Sequence, residues 1–315
     1  MSGPAASDGI HVVDTHYVRP LFDAAHLIVQ DGRAAFVDCG TAHAVPRLLA
    51  ALEAEGLGVD AVDWLLLTHV HLDHAGGAGQ LLRALPRARV AVHPRGAPHL
   101  IDPRKLIDAS IAVYGEENYR RLYGELLPID ASRVETTADG AMLALGGRRI
   151  EVLHTPGHAL HHQAFFDRSA QVIFTGDTFG VAYGALAVDG HPFSVPTTSP
   201  TQFDPEQLLA SIARVTACGA HTACLTHYGR IGELPRVGED LARMVRRFTD
   251  TALAHAARPA AEARTAIRDG LRAVVLDEWR RLGATAPESL LEEWAGFDFD
   301  LNADGLMAWL ARRAR

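Results

Sequence analysis

The chain has 315 residues, 48% of them apolar, and a formal net charge of −8 at pH 7. That length supports a large core, and the acidic balance argues against a nucleic-acid partner, which needs a concentrated basic surface. No apolar run approaches the roughly 20 residues of a membrane span, and the start MSGPAASDGIH has neither a basic nor an apolar leader region, so a cytoplasmic protein without a membrane partner is expected.

In chain order, HLIVQDGRAAFVDCG reads as two strands around an Asp31-Gly32 turn, with Asp38 at the end of the second. A helix follows over 45–55, stopping near Gly56. DWLLLTH is a short buried strand, Gly76-Gly77 opens another helix, and ARVAVHP is the next strand, which is the α/β order. The 102–127 segment is helical and carries Tyr114, Tyr119 and Tyr123, either covering a site or packing on the core. Strands recur over 134–173, a helix over 205–215, and a last strand in HTACLTH. The 180–202 stretch, rich in Gly, Pro, Ser and Thr, reads as a long loop of the kind that forms lids. Beyond Pro235 helical spacing dominates, with Ile267, Leu271, Val274, Val275, Trp279 and Leu282 on one face. Gly296 is expected to end a helix that restarts at Pro287. DLNADG imitates a calcium loop, but its twelfth position is Ala311 rather than Glu, so Asn302 or Asp304 is expected to cap the last helix instead. The expected organisation is a catalytic domain over 1–245 and a helical extension over 246–315 packed on it.

The densest chemistry lies in LLLTHVHLDHAGG. His69 and His71 are two apart, as on one face of an extended chain, whereas Asp73 and His74 are adjacent at a helix start and diverge by about 100°. Further candidates occur where apolar runs end: His158 in VLHTPGH, Asp177 in VIFTGD and His227 in CLTH. A tetrahedral ion takes about four ligands, so this many donors suggests two ions. Nitrogen and carboxylate donors without thiolate suit Zn(II), Fe(II) or Mn(II). Cys39, Cys218 and Cys224 have no CxxC spacing and read as buried thiols. No GxSxG, P-loop or HExxH motif is present.

Taken in order, Asp38 in VDCG, the THVHLDH cluster, His158 in TPGH, Asp177 in TGD and His227 in LTH resemble the pattern of the metallo-β-lactamase superfamily. The HxHxDH and TPGH motifs are shared with glyoxalase II and the lactonases. The resemblance implies an α/β fold, an αβ/βα four-layer sandwich with metals in a cleft along one edge. It implies that His69, His71 and His158 hold one metal, that Asp73, His74 and His227 hold the other, that Asp177 bridges them, and that Asp38 orients a ligand histidine. Two divalent ions, Zn(II) first and otherwise Fe(II) or Mn(II), would then activate a bridging hydroxide, with Asp73 orienting it or moving its proton. The implied reaction is hydrolysis of an ester, thioester or lactone bond of a small molecule. His162 is assigned a supporting or substrate contact, and Tyr228 a substrate contact beside His227. The remaining histidines outside these motifs, His26 among them, read as surface or capping groups. Two features depart from the resembling enzymes: Gly180 stands where the lactonases carry a tyrosine, and only Arg230 and Arg236 lie near the last motif, where glyoxalase II has a basic patch. Two other readings stay open, a mononuclear iron enzyme similar to the persulfide dioxygenases, using His69 or His71 with His158 and Asp177, and a non-catalytic metal-binding protein. A homodimer is compatible with the sequence.

Overall fold

In the computed structural model, residues 8–198 and 201–314 are described. The leader-region reading of the first residues, and the tip of the 180–202 loop, therefore lie outside the described residues.

The first half of the chain builds one six-stranded sheet in sequence order: β1 (Ile10–Asp14), β2 (Ala24–Gln30), β3 (Arg33–Val37), β4 (Val62–Leu66), β5 (Arg89–Val92) and β6 (Val134–Thr136). Its first three strands are antiparallel and β3 to β6 run parallel. Gln30 pairs with Arg33, so Asp31 and Gly32 form a two-residue turn with φ of 49° and 73°, as the type I′ hairpin requires. The second sheet has the order β12-β11-β10-β9-β8-β7, from β7 (Met142–Leu145), β8 (Arg148–His154), β9 (Gln163–Asp167), β10 (Val172–Gly176), β11 (Thr222–Leu225) and β12 (Gly229–Ile231). Here only the β10–β11 pair is parallel.

The helices are α1 (Val45–Ala54), α2 (Leu72–Ala75), α3 (Ala78–Ala84), α4 (Ala97–Ile101), α5 (Arg104–Tyr114), α6 (Glu116–Tyr123), α7 (Pro205–Ala217), α8 (Leu234–His255), α9 (Ala260–Arg281) and α10 (Glu288–Arg313). Between the sheets, Ile28, Val37 and Leu66 meet Val152, Phe165 and Phe174. On the outer face of the first sheet, Leu27, Phe36 and Leu65 pack with Leu48 of α1 and Leu81 of α3. On the outer face of the second, Phe166 and Ile173 pack with Leu208, Leu241, Phe248, Leu271 and Phe299 from α7 to α10. Strands β9 and β10 are therefore buried on both faces, which is why they read as apolar runs without alternation. The result is the expected αβ/βα four-layer sandwich.

Four expectations are corrected. Residue 245 falls inside α8, so the helical tail begins at Leu234. Helix α10 passes unbroken through Gly296 and Gly305, because burial of Leu291, Ala295, Phe299, Ala303 and Leu306 outweighs a glycine cost of about 1 kcal/mol each. Asn302 is not a cap: its carbonyl accepts from Thr198 N at 2.6 Å and its amide donates to Pro196 O at 2.8 Å. Asp304 accepts from Arg264 of α9. His26 is buried, edge-on to Phe174 of the second sheet, rather than a surface group. Among the described helices none is long and apolar enough to cross a membrane.

Candidate metal centre

The site forms because strands run out at one edge. Asp38 follows β3, Thr68 and His69 follow β4, Asp177 follows β10 and His227 follows β11. Since β3/β4 and β10/β11 are parallel pairs, the carboxyl ends of each pair face the same way, and the two sheets deliver their ends to one cleft. His71 is extended (φ −64°, ψ 152°) and starts α2, whose first turn carries Asp73 and His74. His158 lies in the loop after β8, where Gly157, at φ 133°, passes so close to α7 that a Cβ would lie 2.3 Å from Leu208.

All seven expected ligands converge. His69, His71 and His158 form one group of donors, and Asp73, His74 and His227 another. In the first, His69 Nε2 and His158 Nε2 lie 2.9 and 3.0 Å from His71 Nδ1. In the second, Asp73 Oδ2 lies 3.5 Å from His227 Nε2 and 3.9 Å from His74 Nε2. Asp177 stands between them: Oδ2 is 3.4 Å from His158 Nε2, while Oδ1 is 3.2 Å from His74 Nε2 and 3.7 Å from His227 Nε2. Ligands 2.0–2.1 Å from a tetrahedral ion are about 3.3 Å apart, so these spacings suit metal ligation. His74 Nε2 and Asp177 Oδ1 are buried and face each other at 3.2 Å, in a geometry that completes no hydrogen bond, the posture of two donors aimed at a common cation. The donors fit divalent cations.

The rear nitrogens are held in place. His74 Nδ1 donates to Asp38 Oδ2 at 2.8 Å, and His227 Nδ1 donates to Phe22 O at 2.9 Å. His69 Nδ1 meets Thr68 Oγ1 at 3.1 Å, and that hydroxyl donates to Asp38; His158 Nδ1 meets Thr197 Oγ1 at 3.0 Å, and that hydroxyl donates to Asp177 O. In the neutral imidazole, each pairing leaves Nε2 as the lone-pair nitrogen aimed at the centre. Asp38 sits at φ 54° and also accepts from Thr68 N and Thr226 Oγ1. His162 accepts from Asp177 N at 3.1 Å through Nε2 and meets Thr155 Oγ1 through Nδ1 at 2.8 Å, so it supports Asp177.

The charges divide sharply. Burial, with the neighbouring histidines, holds His69 well below the usual imidazole range, and burial takes His158 down to about 3. Burial opposes the charge on His227 too, but Asp177, Asp23 and Asp73 outweigh it and raise His227 to about 10; His74 is likewise raised, by Asp177, Asp73 and Asp38. Asp177 stays well below the carboxylate range, despite burial, because His74, His158 and His227 surround it. Without metal, then, His74 and His227 hold protons that a cation must displace.

A family model described as Metallo-beta-lactamase superfamily matches residues 18–227. The chain belongs to the metallo-β-lactamase superfamily. It is 31% identical over 245 residues to a hydroxyacylglutathione hydrolase of Xanthomonas euvesicatoria pv. vesicatoria, covering 76% of each chain. It is 32% identical over 212 residues to one from Xylella fastidiosa, a match spanning 66% of this chain and 61% of that one. Among solved structures, the metallo-beta-lactamase family protein TTHA1429 from Thermus thermophilus is 25% identical, with a TM-score of 0.65 over 91% of this chain and 94% of that one.

Within this superfamily framework one expected contact is displaced. Tyr228 is half-buried against the core cluster on the outer face of the second sheet and is not among the residues lining the cavity beside the metal ligands. The lining instead includes Tyr123, in the segment read as covering a site or packing on the core, together with His161, Thr197, Tyr17 and Asp298, which the motifs did not indicate. Thr68 and Thr226, both donors to Asp38, were visible in principle: the dipeptide Thr-His ends β4's run and β11's run alike.

Proposed function

We propose that this protein is a dinuclear metallohydrolase that cleaves an ester, thioester or lactone bond of a small molecule. The observation that carries the reading is the posture of Asp177, whose Oδ2 faces His158 of one donor group while its Oδ1 faces His74 and His227 of the other. His69, His71 and His158 would hold one divalent ion and Asp73, His74 and His227 the other, with Zn(II) the first choice for such donors. When bound, the pair supplies a water made nucleophilic at neutral pH and a Lewis acid for the carbonyl oxygen.

The chain's own residues do the positioning. His71, Asp73, Asp177 and His227 line the cavity, so a substrate carbonyl entering there meets both donor sets. The Asp73 carboxylate, a quarter exposed and held below its ordinary range by His74 and His227 against the effect of burial, is an acceptor open to the cavity. It orients a water and accepts its proton as the bond is attacked. His162, through Asp177 N, and Thr197, through Asp177 O, fix the aspartate on which both donor sets depend. The hydroxyacylglutathione hydrolases among the relatives support a thioester or ester substrate in general terms.

Metal-loaded protein is expected to hydrolyse members of a panel of nitrophenyl esters, acyl thioesters and lactones. Asp73→Ala should lower kcat by at least about 100-fold while leaving the circular dichroism spectrum unchanged; an unaltered rate refutes the role of Asp73.

A further inference from the structure

The cavity beside the metal ligands has a volume of about 400 Å³, in the range of small-molecule sites. One wall of it is a belt of aromatic rings. From Tyr114 of α5 the belt passes to Tyr123 of α6 at 5.6 Å, to Tyr17 at 5.8 Å, to Phe22 at 6.0 Å and to Phe297 of α10 at 6.0 Å, each step within the range of direct ring contact. All of these rings line the cavity that His71, Asp73, Asp177 and His227 also line. The belt adjoins the metal ligands at Phe22, whose ring meets that of His227 edge-on at 5.6 Å. Its two ends reach solvent, Tyr114 being 39% and Phe297 51% exposed.

The belt is held in place before any ligand arrives. Tyr17 and Phe22 ride on a strap over 15–22 in which His16, Val18 and Leu21 all take positive φ, at 57°, 60° and 59°. A β-branched residue such as Val18 adopts that conformation only under constraint, and Asp14 supplies it by accepting from the backbone N–H of His16 and Leu21 at 3.0 and 3.1 Å. Arg19, on the same strap, lies over the ring of Trp294 at 4.1 Å and donates to Trp294 O at 3.1 Å, which ties the strap to the helix that carries Phe297. The Tyr17 hydroxyl donates to that of Tyr123 at 3.1 Å, so the two phenols engage each other and the belt offers chiefly ring surface. Single exposed apolar side chains are ordinary on a protein, but a contiguous run of them that continues into a cavity marks a binding site.

We propose that the substrate carries one extended apolar chain, alkyl or aryl, which lies along this belt while its ester, thioester or lactone bond sits at the two donor sets. The inference rests on the hydrolase reading above and narrows its substrate class. The contact of Phe22 with His227 places the start of the belt beside the reacting bond, and the exposed ends let a chain longer than the cavity run out into solvent. Rings fixed in advance by the strap lose little freedom when a chain covers them, so the apolar surface removed from water goes into binding. The chain can belong to the acyl group or to the alcohol or thiol part. The belt recognises the same chemistry in either case, and the experiment tells the two apart.

The test uses the whole chain, loaded with metal, and two series of substrates kept below the concentrations at which they form micelles. One series is nitrophenyl esters from acetyl to octanoyl; the other is acetate esters of straight-chain alcohols from ethanol to octanol. Each lengthens one side of the scissile bond by the same number of methylenes. A methylene fully removed from water is worth about four-fold, so kcat/KM should rise by at least about ten-fold across one of the series. The series that rises assigns the chain to the acyl or the leaving-group side. In the double variant Phe297→Ser, Tyr114→Ser, which alters only the exposed ends of the belt, the rise should shrink to about three-fold or less. If the esters are hydrolysed but kcat/KM is flat across both series, or climbs as steeply in the double variant as in the wild type, the belt is not the seat of the substrate and the hydrolase stands. If no ester, thioester or lactone is turned over, the hydrolase reading falls and this inference with it. The wild-type profile needs no variant, so the test holds even if the double variant does not fold.

Discussion

Asp38 and His74, 36 residues apart, are joined at 2.8 Å in a fully buried contact, and the same carboxylate also accepts from Thr68 and Thr226. One side chain at the end of β3 therefore sets a ligand of the second donor group directly and, through the Thr68 hydroxyl, His69 of the first. Asp38→Ala should lower the affinity for divalent metal by about 10- to 100-fold, the scale on which such supporting carboxylates act. Competition against a chromophoric chelator measures it, and an affinity within two-fold of the wild type would contradict this arrangement.

Metal binding should be coupled to proton release. In the metal-free protein His227 is raised from 6.5 to about 10, so at neutral pH it carries a proton that a cation must displace. Apparent metal affinity is expected to rise from pH 7 towards about 10, and calorimetry in buffers of different ionisation enthalpy should show net proton release. The raised pKa also has a stability consequence. Its contribution to the metal-free fold is fully present below pH 6.5 and is lost as pH rises through about 10. The chelator-treated protein should accordingly lose Tm in that alkaline window.

Gly176 tests the crowding behind the centre. It sits at φ 48°, and a Cβ there would lie 2.7 Å from both His162 Nε2 and Thr68 Oγ1. Gly176→Ala should cost about 1–3 kcal/mol from the backbone conformation alone, and should weaken metal binding because the two displaced groups support Asp177 and Asp38. Urea unfolding with and without metal reads both effects.

Asn302 ties α10 to the loop that carries Thr197. Removing its amide by Asn302→Leu leaves Thr198 N and Pro196 O without their partners. A loss of about 2 kcal/mol or more is expected, visible as a lowered Tm, together with a raised KM because Thr197 lines the cavity.

Much of this was legible in the sequence because it was local. The Asp31-Gly32 turn needs two positive φ values that few residue pairs accept, and the ligands announce themselves where apolar runs stop. What escaped was set by tertiary packing. Gly296 reads as a helix stop, yet buried apolar neighbours on both sides of it carry α10 onward. Thr197 lies 39 residues from the histidine it holds, and Asp298 meets the cavity only because the tail folds back on the second sheet. Neither has a local pattern to betray it. Tyr228 misled for the converse reason, since adjacency to His227 along the chain does not place a side chain in the same cavity.

In the proposed enzyme two divalent cations share Asp177. Elemental analysis of protein purified without added metal, followed by titration of the chelator-treated chain, tests it most directly. The account predicts saturation at two equivalents per chain, falling on Asp177→Asn, with ester hydrolysis appearing as the second equivalent is filled. Saturation at one equivalent, with hydrolysis complete at that point or absent at any loading, would contradict it.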